Sequence, residues 1–382
     1  MIYLDNAATT SPKPQKVIRA VTNALVYLSA NPGRSGHSTS ENAAIVMYET
    51  RNKVAKLFNA PNAEGVIFTP NCTASINYVL KGLLKRGDRI VTSSLEHNAV
   101  IRPLTALKKY GIGFDVFEVD IDNSETTFKN FLNTVGNDTR MVICTHASNV
   151  TGTLLPIKKI GAYCKEKGIL FAVDAAQSAG VIPIDMKEMG IDYLCVAAHK
   201  GLYAPMGTGL LIMSGPTPAT IIEGGTGTES ANLNQPIDLP EKYESGTVNL
   251  PGIAGIRAGI DFINEKGIDR IRNHEIKLIK LAYNRLSKIS GIRLYSSQYD
   301  DKAPLLSFNL NGMNSIQVAN ELNRHSVAVR AGLHCAPFAH KRLGTIDCGT
   351  VRISPSAFTS EADIIKTTEY VANIASKSKA IF

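Results

Sequence analysis

Two pairs of polar residues that could carry chemistry follow two short apolar runs in the middle of the chain. The runs, 169–173 and 193–197, are rich in β-branched and aromatic residues, which predicts buried strands. Asp174 and Gln177 follow the first run, and His199 and Lys200 follow the second. Ligands of open α/β sheets bind outside the carboxyl ends of the strands. A lysine and an acid at that edge point to pyridoxal phosphate (PLP), which forms a Schiff base with a lysine and needs an acid at its ring nitrogen.

Each of these residues also has an ordinary structural interpretation. An aspartate after a strand is often only a helix cap, and a lysine there is usually solvated. The surrounding residues favour the ligand site, because Ala175 and Ala176 follow the acid while Ala198 and Gly201 flank the lysine. Side chains this small leave room for a flat ring close to the backbone.

Other polar residues follow further predicted strands at the same edge. Thr73, His97 and Asn149 each come shortly after an apolar run. Thr73 also opens a predicted helix, whose free backbone N–H groups could bind a phosphate or could simply be capped. His37 lies in a Gly- and Ser-rich loop over residues 31–39, where a histidine is more often surface than ligand. The convergence on one sheet edge is a stronger signal than any single residue.

Composition limits the class of protein. The 382 residues are 44% hydrophobic and 19% charged, which is typical of a soluble protein with more than one core. The net charge of +8 comes without basic runs interleaved with aromatics, so nucleic-acid binding is not indicated. The six cysteines form no CxxC pair, and we expect those at 144, 164 and 195 to be core residues. Without a signal-like N-terminus or a membrane-length apolar run, we expect a cytoplasmic protein and no membrane partner.

The order of the predicted elements indicates the fold class. Strands and helices alternate from about residue 66 to residue 209, which predicts an α/β protein with a mostly parallel central sheet and helices on both faces. Beyond residue 209 the alternation breaks, and two long helices precede strands of a smaller α+β domain. We therefore predict a large domain over residues 12–253 and a small C-terminal domain over residues 254–382, joined by residues 1–11.

A set of motifs spread over the whole chain resembles a known family. The motifs are LDNAATT, TPNCTASIN, LEHNAV, THASNVTGT, VDAAQSAG, AAHKG, ESGTVN, RAGLHCAP and VRISPSAF. In order and spacing they resemble the class V aminotransferase-like PLP enzymes, and within them the branch of cysteine desulfurases and selenocysteine lyases. The resemblance implies the fold type I of PLP-dependent transferases, PLP as cofactor, and removal of sulfur from L-cysteine to give L-alanine.

The same resemblance implies a role for each matching residue. Lys200 would carry PLP, Asp174 would pair with the ring nitrogen, Gln177 would touch the ring hydroxyl, and His97 would stack on the ring and move protons. Thr73 and His199 would bind the phosphate beside Cys72, and Thr247 would reach the phosphate of a neighbouring subunit, which implies a homodimer. The substrate-binding set would be Ala8, His37, Asn149, Arg330 and Arg352, of which Asn149 and Arg352 would hold the substrate carboxylate.

Cys335 would be the sulfur acceptor and would form a persulfide. Only a thiolate attacks sulfur, and the flanking Arg330, His334, His340, Lys341 and Arg342 would supply cations that favour it. The short loop RAGLHCAPFAH resembles the branch with a compact cysteine loop, which favours transfer to a dedicated acceptor protein whose identity the sequence does not give. Ala197, Cys72 and Leu333 depart from residues common in relatives, so the preference for L-cysteine over L-selenocysteine stays open. A non-enzymatic metal or redox protein using His334, Cys335 and His340 is the alternative from another class.

Overall fold

The structure is a computed structural model that describes residues 1–32, 36–295 and 302–379, so the middle of the predicted loop 31–39 lies outside the described residues. The strands are β1 (Ile2–Tyr3), β2 (Val66–Thr69), β3 (Arg89–Ser93), β4 (Gly113–Phe117), β5 (Thr139–Thr145), β6 (Leu170–Asp174), β7 (Tyr193–Ala197), β8 (Gly209–Met213), β9 (Ile292–Leu294), β10 (Leu306–Leu310), β11 (Val327–Ala328), β12 (Arg330–Gly332) and β13 (Thr350–Ile353). The helices are α1 (Gln15–Tyr27), α2 (Ser38–Phe58), α3 (Cys72–Leu83), α4 (Asn98–Leu107), α5 (Ser124–Thr134), α6 (Ile157–Lys167), α7 (Leu250–Lys266), α8 (Ile268–Leu286), α9 (Ser315–Arg324), α10 (Pro337–Leu343) and α11 (Glu361–Lys379).

A seven-stranded sheet forms the centre of the molecule. Its order is β2-β8-β7-β6-β5-β3-β4, and every neighbouring pair is parallel except those made by β8, which is antiparallel to both β2 and β7. The prediction of an α/β fold with a mostly parallel sheet is confirmed. No strand was predicted at β8, because this buried run follows β7 after a loop and pairs with it in the antiparallel direction, which breaks the alternation of parallel strands and helices.

Both faces of the large sheet are buried, which explains why its central strands read as continuous apolar runs. Alternate residues of β6 and β7 point to opposite cores: Ala172 and Cys195 pack with α3 and α4, whereas Val173 and Leu194 pack with α6 and α7. The cysteines expected to be core residues are buried and unpaired: Cys144, Cys164 and Cys195.

A smaller antiparallel sheet carries the C-terminal part of the chain. Its order is β12-β13-β10-β9, and α8, α9 and α11 pack around its core. The N-terminal β1 pairs in parallel with β11, which brings the start of the chain to this second sheet. The run 327–330, predicted as one strand, is divided between β11, which pairs with β1, and β12, which pairs with β13.

Helix α7 belongs with the large sheet. Ile253, Ile256 and Ile260 of this helix lie in the same core as β6 and β7, and a Cβ on Gly259 would lie 1.9 Å from the carbonyl oxygen of Leu202. The predicted boundary after residue 253 therefore falls inside a continuous helix. We propose that the division lies at Gly267, between α7 and α8, with residues before α1 joining the second part.

The carboxyl ends of the parallel strands bring the predicted residues to one edge. Thr145 of β5 and Asp174 of β6 are in register, and Asp174 is in register with Cys195 of β7. The loop after β7 then carries Lys200 back over the same edge. The site is therefore assembled by strand register: Asp174 is the last residue of β6, and Thr73, His97, Asn149 and Lys200 lie three or four residues beyond the ends of their strands.

Candidate active site

A cavity of about 230 Å³ lies at this edge of the large sheet. It is lined by residues from six segments that are distant in sequence. Nine of the residues predicted for the site line it: Ala8, Cys72, Thr73, His97, Asn149, Asp174, Gln177, His199 and Lys200. The structure thus brings the predicted lysine, acid, stacking histidine and helix start together around one space large enough for a small ring.

Lys200 and Asp174 set the electrostatics of this cavity. Burial lowers the pKa of Lys200, and the Asp174 carboxylate acts against that effect. Asp174 is only 3% exposed, and its Oδ1 accepts a hydrogen bond from the backbone N–H of Ala176 at 2.9 Å and one from Cys72 Sγ at 3.4 Å. A lowered lysine pKa increases the fraction of the neutral, nucleophilic amine at a given pH. An anchored carboxylate beside it suits a ligand that carries a positive ring nitrogen.

His97 is neutral and oriented by the helix that it starts. Burial lowers the pKa of His97, with the positive charge of Lys200 among the lesser causes. Its Nδ1 accepts the N–H of Ala99 at 3.0 Å as the N-cap of α4. Since Nδ1 is the acceptor, the proton of the neutral ring resides on Nε2. Gln177 is oriented in a similar way, because its Nε2 donates to the carbonyl of Ala7 at 3.0 Å.

One end of the cavity suits an anion. Thr73 is exposed in the first turn of the 12-residue helix α3, whose N-cap is Asn71, and helix starts of this kind bind phosphate. Opposite it, burial lowers the pKa of His199 to about 4, so this ring is neutral. The Nδ1 of His199 is buried and has no hydrogen-bond partner in the described part of the chain. The free N–H groups at the start of α3 and the unsatisfied ring nitrogen of His199 could both donate hydrogen bonds to a bound phosphate.

Arg352 lies behind the cavity wall and does not line it. It is 1% exposed, with Nη2 paired to Asp5 Oδ1 at 3.0 Å and Nη1 donating to the carbonyl of Asn149 at 3.0 Å. Asn149 itself donates from Nδ2 to the carbonyl of His334 at 2.6 Å. In the single chain, the hydrogen-bonding groups of Asn149 and Arg352, which were predicted to bind the substrate carboxylate, are therefore largely occupied by other protein groups. The half-buried Arg330, directly opposite Arg352 in the β12–β13 ladder, forms no ion pair with any described residue.

Cys335 lies on a tight turn beside the cavity. It is exposed, whereas its neighbours His334 and Ala336 are buried, and both His334 and Cys335 have positive φ values, of 48° and 57°. The carbonyl of Cys335 accepts the N–H of Asn98, the residue after His97, at 2.7 Å. The predicted compact loop is thus fastened directly to the start of α4, with its thiol on the outer surface.

The expectation that histidines supply positive charge to this loop is wrong. Burial lowers the pKa of His334 to about 2, with Arg352 as the next cause, and burial also lowers the pKa of His340. His334 Nε2 lies 3.1 Å from both the carbonyl and the hydroxyl oxygen of Thr350, and His340 Nδ1 lies 2.7 Å from Thr345 Oγ1. Both rings are neutral parts of the loop's internal packing.

Besides Cys335, Arg330 and Arg352, two further predicted residues do not line the chain's own cavity. His37 is exposed and caps α2, with its Nδ1 accepting the N–H of Ser40 at 3.3 Å. Thr247 is exposed in the loop that precedes α7. Neither lines the cavity, so a role for either in the site stays a prediction that requires a second subunit.

The sequence analysis missed Glu96, which lies beneath the site. Its Oε1 accepts the N–H of Thr145 at 2.9 Å and a hydrogen bond from the Ser93 hydroxyl, while its Oε2 has no partner in the described chain. The side chain is fully buried, and burial raises the pKa of Glu96 to about 8. The carboxyl is therefore protonated at neutral pH and joins the ends of β3 and β5 directly below His97. The sequence signal that could have indicated Glu96 was its position directly before His97 in the motif LEHNAV.

Comparison with known proteins identifies the family. The sequence model described as aminotransferase class-V matches residues 2–366. The chain belongs to this family. A probable cysteine desulfurase from Methanothermobacter thermautotrophicus is 35% identical over 98% of this chain and 94% of its own length, and one from Pyrococcus abyssi is 35% identical over 95% of this chain and 92% of its own. The predicted family is thereby confirmed.

Solved structures of cysteine desulfurases have the same fold as this chain. The apo structure of a cysteine desulfurase from Thermococcus onnurineus superposes with a TM-score of 0.91 at 32% identity, covering 98% of this chain and 95% of that one. The cysteine desulfurase CsdA of Escherichia coli, in an S-sulfonic acid form, superposes with a TM-score of 0.87 at 27% identity, covering 98% and 94%. Cysteine desulfurases are PLP-dependent enzymes, so the predicted fold class is confirmed. No helix in the described part of the chain is both long and apolar enough to span a membrane.

The buried Glu96 gives a testable pH dependence of stability. In the unfolded chain a glutamate titrates near about 4.3, whereas burial raises the pKa of Glu96 in the folded chain to about 8. Between these values the folded state retains a proton that the unfolded state has released, so raising the pH favours unfolding. Glu96→Gln keeps the shape but cannot ionise. We expect the variant to gain stability over the wild type by roughly 1–3 kcal/mol between pH 5 and pH 8.

Denaturant unfolding of both proteins at the two pH values measures this gain. Glu275, whose pKa burial also raises to about 8, is present in both proteins and cancels in the difference. A difference between variant and wild type that stays constant, or falls, from pH 5 to pH 8 would show that Glu96 is ionised in the folded state.

Proposed function

We propose that this protein is a PLP-dependent cysteine desulfurase that removes sulfur from L-cysteine and stores it as a persulfide on Cys335. The observation that carries the proposal is the shared cavity, in which Lys200, Asp174, His97 and the start of α3 face one space beside the Cys335 loop. The reaction balances as L-cysteine and the Cys335 thiol giving L-alanine and the Cys335 persulfide. The relatives named cysteine desulfurase support the same reaction.

The cavity fits PLP in its chemistry. Lys200 would carry the cofactor, Asp174 would pair with the ring nitrogen, and Gln177 would hold the ring hydroxyl. Thr73 and the unsatisfied Nδ1 of His199 would bind the phosphate, next to Cys72. When bound, PLP supplies an electron sink for the substrate carbon. Ala197 offers no hydroxyl to the phosphate, so the helix start and His199 carry more of the binding.

Proton transfer is assigned to Lys200 and His97. Burial lowers the pKa of Lys200, which favours the neutral amine that can accept a proton from the substrate at Nζ and return it. His97 holds a proton on Nε2 because its Nδ1 accepts the N–H of Ala99. A neutral imidazole fixed in this tautomer can donate that proton within the cavity. Neither group needs water from outside to change its charge.

The substrate carboxylate would bind on the side of the cavity that faces β12 and β13. Arg330 brings a guanidinium that is not used in an ion pair within the described chain, and Asn149 and Ala8 line the wall near it. Arg352 adds buried positive charge behind them and retains one unsatisfied nitrogen, Nε. We propose that Arg330 contacts the substrate carboxylate directly. Arg352 would bind the carboxylate only after breaking its ion pair with Asp5.

Cys335 is suited to accept sulfur and to pass it on. Its side chain is exposed while its backbone is bonded to the start of α4, which keeps it next to His97 and open to a second protein. Sulfur would leave by transfer to a sulfur-acceptor protein that docks over this loop.

L-Selenocysteine is the alternative substrate, and turnover on the two amino acids decides between cysteine desulfurase and selenocysteine lyase. In the described residues no cluster of three or more His, Cys, Asp or Glu side chains could hold a metal ion, which gives no support to a metal-binding function.

Replacing Cys335 tests the proposed reaction. Cys335→Ala should lower formation of alanine from L-cysteine roughly 100-fold or more, because the attacking thiol is lost. Alanine is measured in the holoenzyme with a reducing thiol present, and mass spectrometry of the protein measures added sulfur. The matched control is Cys348→Ala, which removes the other exposed cysteine and should retain wild-type alanine formation and persulfide.

A wild-type holoenzyme that makes no alanine would refute the desulfurase. An unchanged rate in Cys335→Ala on L-cysteine would refute this residue as the acceptor. If the variant instead loses the L-cysteine reaction alone and keeps full turnover of L-selenocysteine, the lyase is favoured.

We also propose that the active form is a homodimer. Large apolar side chains are exposed on α1 and α2 of the single chain: Ile18, Leu25, Val26, Tyr27, Ile45 and Tyr48. Exposed apolar groups on neighbouring helices are typical of protein interfaces. His37 and Thr247 are exposed outside the chain's own cavity, and each could serve a neighbouring one.

Mass measurement by light scattering should therefore give twice the chain mass of 41.2 kDa. Thr247→Ala should lower PLP affinity without dissociating the dimer. A fully active monomer would contradict both statements. The cytoplasmic location stays a prediction.

A further inference from the structure

The N-terminal segment donates hydrogen bonds to the backbone carbonyl of His199, the residue that precedes Lys200. We call residues 5–13 the N-terminal strap. The carbonyl oxygen lies within hydrogen-bond distance of four donors: the N–H of Thr10 at 3.2 Å, the hydroxyls of Thr9 and Thr10 at 3.2 Å each, and Lys13 Nζ at 2.8 Å. A carbonyl oxygen has two lone pairs, so this acceptor is saturated. The next carbonyl, of Lys200, lies 3.1 Å from the Thr10 hydroxyl.

Lys13 makes the shortest of these contacts and is an unusual lysine. Burial alone lowers the pKa of Lys13 to about 8, and no carboxylate pairs with it in the described chain. Its ammonium is instead held by the Thr10 hydroxyl at 2.7 Å and by the His199 carbonyl. By contrast, Lys16, one turn further on, is paired with Glu265 at the surface. The Lys13 ammonium therefore stabilises the orientation of the His199–Lys200 peptide, because a charged donor makes a stronger hydrogen bond to the carbonyl than a neutral one.

The other end of the strap is fastened to the second sheet. Asp5 pairs with Arg352, Asn6 Nδ2 donates to the carbonyl of Ser354 at 2.9 Å, and Ser354 Oγ accepts the N–H of Ala7 at 2.9 Å. The strap therefore connects β13, which carries Arg352, to the peptide that carries Lys200. Between these ends, the carbonyl of Ala7 holds Gln177.

The geometry points to Lys13 as a positioning residue for Lys200. We propose, resting on the proposed PLP function, that the Lys13 ammonium fixes the His199–Lys200 peptide plane and thereby aims the Lys200 amine at the aldehyde of incoming PLP. The Lys200 amine stands at the end of a four-carbon chain, so a rotation of the peptide plane is amplified at the nitrogen. Misplacement of a reacting group by about 1 Å can cost as much as 100-fold in rate. Lys13 itself does not line the cavity, and it reaches the site only through the backbone carbonyl of His199.

The test separates capture of the aldehyde from simple binding of the ring. The full-length chain is stripped of cofactor and tested at pH 7 with two probes. PLP reports the Lys200 amine through the rate at which the visible absorbance of the bound cofactor appears. Pyridoxamine phosphate has an amine in place of the aldehyde, so its affinity reports the pocket without the Lys200 reaction.

Lys13→Met should slow the appearance of the PLP band by roughly tenfold or more, while the affinity for pyridoxamine phosphate stays within about twofold of wild type. Lys13→Arg, which keeps a cation of similar reach, should restore at least part of the rate. Lys16→Met is the control on the surface and should behave as wild type in both measurements.

Two outcomes would overturn the inference. If Lys13→Met takes up PLP at the wild-type rate, the Lys13 contact does not position Lys200. If PLP uptake and pyridoxamine phosphate affinity fall by the same factor, Lys13 only supports the folding of the pocket. Both comparisons are independent of alanine formation, so a wild type that binds PLP but makes no alanine would refute the desulfurase and leave this result standing.

Discussion

The attraction between Lys200 and Asp174 is the interaction on which the rest of the site depends. Taking an ammonium out of water is costly, and burial accordingly lowers the pKa of Lys200 while the Asp174 carboxylate counteracts it. The two residues follow β6 and β7, which are hydrogen-bonded neighbours, so strand register brings them to one edge. Backbone packing then fixes the turn after Lys200: a Cβ on Gly201 would lie 2.2 Å from the carbonyl oxygen of Ala179, and one on Gly180 would lie 2.4 Å from that of Gly201. Side chains larger than hydrogen would force this turn away from the sheet.

Neutral histidines give the site its particular charge distribution. His97 and His199 in the cavity, and His334 and His340 in the cysteine loop, all have pKa values lowered by burial. At neutral pH, positive charge beside the cavity therefore comes from the guanidinium groups of Arg330 and Arg352. The histidines act as hydrogen-bonding groups whose tautomers the backbone selects. This arrangement suits a site that must bind an anionic phosphate and a carboxylate while keeping its proton donors uncharged.

The sequence predicted most of the large sheet and of the cavity, for an identifiable reason. Buried parallel strands such as Tyr193–Ala197 have strong local patterns, and the bounds of this strand were predicted as observed. Chemistry-bearing residues just beyond such strands must share an edge, so the sequence alone was enough to pair Asp174 with Lys200. The strand β8 was missed because it turns back antiparallel to β7 after a loop, which the strand–helix alternation does not indicate. The strand β13 was missed because its four residues follow a loop and its place in the sheet depends on pairing with β10 and β12.

Contacts between distant segments were the part that local patterns could not give. The burial of Arg352 depends on Asp5, which lies at the opposite end of the chain, and the burial of His334 depends on Thr350. No sequence motif singles out Lys13, and only the structure places its ammonium on the carbonyl of His199, the residue before Lys200. Short motifs identified the residues that line the cavity, whereas the residues that hold them in place emerged from the fold.

The most direct measurement of the central claim is a chemical map of where PLP attaches. The holoenzyme is reduced with borohydride, digested, and its peptides are sequenced by mass spectrometry. The account predicts bleaching of the visible absorbance and a single phosphopyridoxyl group on the peptide that contains Lys200. A group on another lysine, or a reduced protein with Lys200 unmodified, would contradict it.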